Sequence, residues 1–130
     1  MNIGEAARES GVNAKMIRYY ERTGLVPVAQ RSENGYRVYS EPDVHTLRFI
    51  KRARDLGFSV AQIEQLVQLW QDQDRSSAEV KRVALEHIRE LQQKITELEA
   101  MKRTLEHLAE HCHGDHRPEC PIIDDLAGSL

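Results

Sequence analysis

No apolar run in this chain approaches the roughly 18 residues that a helix needs to cross a bilayer, and Met1-Asn2-Ile3-Gly4-Glu5 opens it without a basic segment leading into an apolar core. A cytoplasmic location is expected, with no membrane as a partner. Cysteine is nearly absent: Cys112 and Cys120 are the only two, too few for a disulfide scaffold. In a reducing compartment such a pair is expected to serve metal or redox chemistry. There is no internal repeat and no low-complexity tract. No nucleophile is paired with a base in a pocket-forming scaffold, so an enzyme is not expected. Aromatic residues make up only 5% of the 130, but the 40% apolar content suffices for a small core plus a helical interface. A strong overall charge is lacking too, since the formal net charge is −3. The two halves nevertheless differ: residues 1–60 hold 10 Lys/Arg against 7 Asp/Glu, and residues 61–130 hold 8 against 14. A basic front half suits an anionic partner that the acidic rear half does not touch.

What the chain does have is one long periodic stretch, Ser76 to Glu110. Apolar residues recur in it at alternating spacings of four and three, at Ala84, Ile88, Leu91, Ile95 and Leu98. That is a coiled-coil seam. A helix of about 32 residues rises roughly 48 Å at about 1.5 Å per residue, too far for a small domain to cover the stripe. A second copy of the chain is therefore expected on it, giving a homodimer. After Leu98 the register passes to Lys102, while Met101, Leu105 and Leu108 make a shifted stripe, so the seam changes phase near residue 100. Ser76 and Glu79 form a capping box that starts this helix and leaves Ser77 in its first turn.

Ahead of it, a short helix from Ile3 with Ala6 and Ala7 inward, a Ser10-Gly11 turn, and a second helix from the N-cap Asn13 to about Arg22 make a helix-turn-helix over residues 3–22. On the second helix Lys15, Arg18, Tyr19 and Arg22 share one face, opposite Met16, Ile17 and Tyr20. A basic exposed face of this kind can lie in a major groove. Residues 30–39 follow as a hairpin, with Asn34-Gly35 as a type I′ turn. Placed after a helix-turn-helix, it reads as a wing whose Arg31 and Arg37 reach phosphates and whose Tyr36 hydrogen-bonds or stacks there. Capping boxes Ser40/Asp43 and Ser59/Gln62 then open two further helices, the first carrying Arg54 on an exposed face and the second ending near Trp70. The expected organisation is a DNA-binding domain over 1–70, a dimerisation helix over 76–110, and a C-terminal loop with a short helix over 111–130.

The stretches Met16-Ile17-Arg18-Tyr19-Tyr20-Glu21-Arg22-Thr23-Gly24-Leu25-Val26 and Arg31-Ser32-Glu33-Asn34-Gly35-Tyr36-Arg37 resemble the signature of MerR-type transcription regulators. The resemblance covers essentially the whole chain. It implies a mainly α fold: a winged helix-turn-helix, two further helices, a long antiparallel coiled-coil dimerisation helix and a C-terminal effector loop. It would make Lys15, Arg18, Arg31, Asn34, Tyr36, Arg37 and Arg54 DNA-contacting. It also implies a dimer on a pseudo-palindromic promoter that acts on RNA polymerase through the DNA. Cys112 and Cys120, with seven residues between them and Pro121-Ile122-Ile123 after, look like the copper-efflux regulator subgroup, which senses Cu(I), Ag(I) and Au(I). The family's divalent sensors carry a further Cys at the start of the dimerisation helix, where this chain has Ser77.

Chemically, two thiolates suit a soft ion that accepts linear coordination, whereas zinc wants four ligands in a tetrahedron. Pro121 sits well at the first position of a short helix through Ile122, Ile123 and Leu126, whose N-terminus can stabilise the Cys120 thiolate. Gly114 and Pro118 let the loop fold back. His107, His111, His113 and His116 crowd around Cys112, however, and such clusters are what zinc sites use. A divalent-ion sensor and a thiol-disulfide redox switch therefore stay beside Cu(I) as readings of the same loop.

Overall fold

The computed structural model describes residues 1–128. It contains six helices and one two-stranded hairpin: α1 (Ile3–Ser10), α2 (Ala14–Thr23), β1 (Gln30–Arg31), β2 (Arg37–Val38), α3 (Glu41–Asp55), α4 (Val60–Gln71), α5 (Ser77–Glu110) and α6 (Pro121–Ala127). The C-terminal segment expected from the sequence ran to residue 130; residues 129 and 130 lie outside the described residues. The chain divides into two compact units, Met1–Ala84 and Leu85–Leu130.

In the first unit, every helix from α1 to α4 starts on a side chain that accepts one of the otherwise orphaned N–H groups. Asn2, Ser40 and Ser59 do so within full capping boxes, and Asn13 Oδ1 accepts from Met16 N–H at 2.8 Å. The α1–α2 turn needs Gly11, which is left-handed at φ 78°, and a Cβ there would come within 3.0 Å of the Lys51 stem. Ile17 and Tyr20, the inward face of α2, are fully buried. They join Ala6, Leu25, Val44, Leu47, Ile50 and Ile63 in one core. A buried side chain of this size contributes roughly 1.5–3 kcal/mol relative to an exposed one. Trp70 closes the end of α4 by stacking on Phe49, with centroids 4.4 Å apart and planes 6° from parallel.

The hairpin is the expected wing, with Gln30 opposite Val38 and Arg31 opposite Arg37. Its turn differs from expectation. A type I′ turn needs positive φ at both central residues, but here only Gly35 has it, at 81°, and no non-glycine residue does. Instead Gly35 N–H donates to Ser32 O at 2.9 Å and Ser32 N–H to Tyr36 O at 2.7 Å. This is a type I turn over Glu33 and Asn34 followed by a left-handed glycine, the three-residue alternative to the two-residue loop. The extra loop residue lets Asn34 keep an ordinary conformation.

Helix α5 begins at Ser77 and runs 34 residues to Glu110. Its first turns belong to the first unit, where Val83 is buried. In the second unit Ile88, Leu91, Ile95, Leu98, Met101 and Leu105 all remain exposed, so the single chain leaves the expected stripe open. No helix among the described residues is long and apolar enough to cross a membrane.

Candidate functional site

Two groups of residues stand out, one in each unit. In the first, Lys15, Arg18 and Tyr19 lie exposed along α2, and Arg31, Asn34 and Tyr36 lie exposed on the wing. A concavity of about 700 Å³ brings the two elements together, with Arg18 on one side and Arg31, Tyr36 and Arg37 on the other. Arg31 Nη1 donates to Gly35 O at 2.8 Å, bracing its side chain against the turn. Cationic side chains from a helix and a hairpin around one hollow have the chemistry to meet phosphate oxygens.

Besides Arg31, two more of the expected DNA contacts are engaged within the protein. Arg37 Nη1 lies 3.3 Å from Glu21 Oε2, and Arg54 Nη1 donates to the Tyr20 hydroxyl at 2.7 Å. Arg54 borders a separate depression with Asn13, Met16 and Lys51, away from the wing. Glu21 is buried, and its other oxygen accepts from the Tyr39 hydroxyl. Burial first, and the carboxylate beside it second, push the Tyr39 phenol above its ordinary value. Sequence reading passed over Glu21 and Tyr39. The available signal was spacing: Glu21 falls four residues after Ile17, which places an acid on the buried stripe of an otherwise basic helix.

In the second unit the chain leaves α5 with Cys112 N–H donating to Ala109 O at 3.1 Å. The loop is then held by Asp115, whose carboxylate accepts from Arg117 N–H at 3.0 Å and Arg117 Nε at 2.9 Å. Folding back brings Cys112 Sγ to 3.5 Å from Cys120 Sγ. Both cysteines are free and half-buried, since a disulfide would require about 2.05 Å. Cys120 is the N-cap of α6, followed by Pro121 at the first helical position. The Ile123 N–H, the Cys112 side chain and the Ile122 N–H together pull the Cys120 thiol below its ordinary value.

The histidines take no part in this pairing. His107 and His111 lie against each other, with ring centroids 4.4 Å apart, and His111 Nδ1 is 2.8 Å from the His107 carbonyl. Among the described residues no three His, Cys, Asp or Glu side chains converge on a metal position. The donor set on hand is thus two sulfurs. That fits a soft ion content with two thiolates and falls short of the four donors of a zinc tetrahedron. Ser77, at the start of α5, is exposed.

Comparison with known proteins places these features in a family. Residues 1–70 match the family described as MerR HTH family regulatory protein, and residues 44–108 that described as MerR, DNA binding. Heavy metal-dependent transcription regulator 2 of Rhizobium meliloti is 62% identical over 127 residues, 98% of this chain and 86% of that protein. The HTH-type transcriptional regulator CueR of Salmonella typhimurium is 44% identical over 98% of this chain and 93% of its own length. Among solved structures, PbrR691 of Ralstonia metallidurans in complex with lead(II) superimposes with a TM-score of 0.84 at 32% identity, covering 97% of this chain and 98% of that one.

Proposed function

The chain belongs to the MerR family of helix-turn-helix regulatory proteins, and on that footing we propose that it is a copper(I)-responsive transcriptional activator of metal-efflux or detoxification genes, with Ag(I) or Au(I) able to substitute. It is a DNA-binding regulator and not an enzyme, it acts on promoter DNA as a homodimer, and its relatives place it among heavy-metal-dependent regulators. Copper is the narrower step. The observation that carries it is the facing pair Cys112 and Cys120, with no third ligand converging among the described residues.

Lys15, Arg18, Tyr19, Arg31, Asn34, Tyr36, Arg37 and Arg54 are proposed to hold the DNA, Arg18 from the recognition helix and Arg31 and Arg37 from the wing. Cys112 and Cys120 are proposed to hold the ion; bound there, a monovalent ion would tie the two thiolates together and leave the site with one net negative charge. Ser77 excludes divalent ions by withholding the extra thiolate that the family's divalent sensors have at the start of the dimerisation helix. The rest is done by the chain. Closing residues 112 to 120 steadies α6, whose Ile123 and Leu126 stand exposed, so that they pack on the dimerisation helix of the second copy. The dimer then changes the shape of a promoter it already occupies rather than leaving it.

Footprinting with and without Cu(I) tests this. An altered cleavage pattern at the centre of the site is expected, lost in Cys112→Ser and in Cys120→Ser while both variants still bind. Metal-driven release from DNA would instead mean a derepressor. A second reading, a divalent-ion sensor, is favoured by the lead(II) complex of a 32%-identical structural relative. X-ray absorption on the metal-loaded protein separates the two, because two sulfur donors support the first and three or more donors the second.

A further inference from the structure

The recognition helix carries one acidic side chain at a position where the fold has no need of a charge. Glu21 is 5% exposed; its Oε1 accepts from the Tyr39 hydroxyl, while Oε2 lies 3.3 Å from Arg37 Nη1 in a buried ion pair without hydrogen-bond geometry. Tyr39 is pinned a second time through its backbone, which accepts from the Met1 ammonium at 2.8 Å and donates to Met1 O at 2.7 Å. The Arg37 side chain is divided between two environments. Nη1 is buried against Glu21, while the side chain as a whole keeps 32% of its surface exposed and lines the hollow shared with Arg18, Arg31 and Tyr36.

A buried ion pair is a poor way to gain stability, because well-packed apolar residues of similar volume often do as well or better. What such a pair can supply is orientation. A guanidinium is a rigid planar fork of five N–H donors, so a buried negative charge held beside one of its nitrogens draws that side inward and turns the remaining N–H groups outward. We infer that Glu21 is a positioning residue for DNA binding: from inside the recognition helix its carboxylate aligns the Arg37 guanidinium of the wing, so that the outer N–H groups meet a phosphate beside the one met by Arg18. The inference rests on the DNA-binding reading and adds to it a residue that touches no DNA. It gives a sign opposite to simple electrostatics, since neutralising Glu21 makes the dimer more positive and should otherwise tighten binding to DNA.

The test uses the full-length dimer and a duplex enriched by the wild-type protein from a random-sequence pool. Glu21→Gln keeps the volume and an acceptor for Tyr39, and it is expected to bind that duplex about tenfold more weakly, with a salt dependence as shallow as that of Arg37→Ala. In the Arg37→Ala background the same change should cost less than about threefold, because nothing is left to align. Arg37→Lys retains the charge without the fork and should lose nearly as much as Arg37→Ala, which keeps the inference testable if Glu21→Gln folds poorly by circular dichroism. Wild-type or tighter binding by Glu21→Gln, an undiminished loss in the Arg37→Ala background, or full activity of Arg37→Lys would each overturn it. Failure of the wild-type protein to enrich any duplex would instead overturn the DNA-binding reading, and this inference with it.

Discussion

Truncating one residue of the open stripe on α5 gives a sharp test of what covers it. Ile95 is 47% exposed in the single chain, so about half of its side chain is left for a second copy to bury. Ile95→Ala removes three carbons, worth about 0.8 kcal/mol each on full burial, and half of that is roughly 1.2 kcal/mol. In a two-fold dimer the loss occurs twice, about 2.4 kcal/mol, which raises the dimer dissociation constant roughly fifty-fold at about 1.4 kcal/mol per factor of ten. The substitution does not weaken the helix itself, since alanine has the higher helix propensity. Fluorescence-detected sedimentation over a dilution series reads the constant directly, with the change Gln93→Ala, exposed on the face away from the seam, as control. A shift of less than about threefold for Ile95→Ala, or an equal shift for Gln93→Ala, would refute a seam along this face.

Arg18→Ala removes one proposed phosphate contact per copy, so the slope of log affinity against log salt should fall by about 1.8 for the dimer, and an unchanged slope would remove Arg18 from the interface. Ser77→Cys should admit Zn²⁺ or Hg²⁺ as inducers in a promoter-reporter assay, whereas a variant still blind to both would shift the selectivity elsewhere. Because the Cys120 thiol is held below its ordinary value, it stays ionised to lower pH than a free thiol and loses its proton-free form only as pH falls through that lowered value. Its iodoacetamide alkylation, followed by peptide mass spectrometry, should therefore have a midpoint below that of glutathione, and a midpoint at or above it would contradict the backbone N–H donors at Ile122 and Ile123.

The long helix, the helix-turn-helix and the capping boxes at Ser40 and Ser59 were legible because each depends on residues within a few positions of one another. Periodicity also separated Lys15 and Arg18 from Ile17 and Tyr20, and burial follows that division. The turn type at Asn34-Gly35 was misread because two hairpin loops share the Asn-Gly signal; the register of Arg31 opposite Arg37, which the local pair does not specify, selects between them. Glu21 escaped for a different reason. Its spacing from Ile17 marks the buried stripe, but its partners Arg37 and Tyr39 lie across the wing connection, and spacing does not say what the carboxylate meets there. At the thiol pair, composition crowded four histidines around Cys112, but only the folded loop shows that Cys120 turns to Cys112 while His111 turns back to His107.

The proposed switch draws on both units. Within a single chain the first unit holds nearly all of the buried side chains, whereas the apolar stripe beyond His87 is left for the second copy to bury. Bending or untwisting a promoter costs on the order of 1–6 kcal/mol, and an effector meets that cost only through a difference in its affinity for two protein arrangements. At about 1.4 kcal/mol per factor of ten, the ratio needed runs from roughly five-fold to roughly ten-thousand-fold. A rigid, preassembled thiol pair would bind the ion equally in both arrangements and shift neither. Cys112 and Cys120 already face each other at 3.5 Å in the single chain, so the difference the proposed switch needs has to come from what their loop and α6 meet on the second copy. The proposed switch therefore needs a thiol loop whose surroundings differ between two dimer arrangements, and a helix-and-wing surface, anchored by the buried Glu21 and Tyr39, that stays intact while one arrangement is chosen.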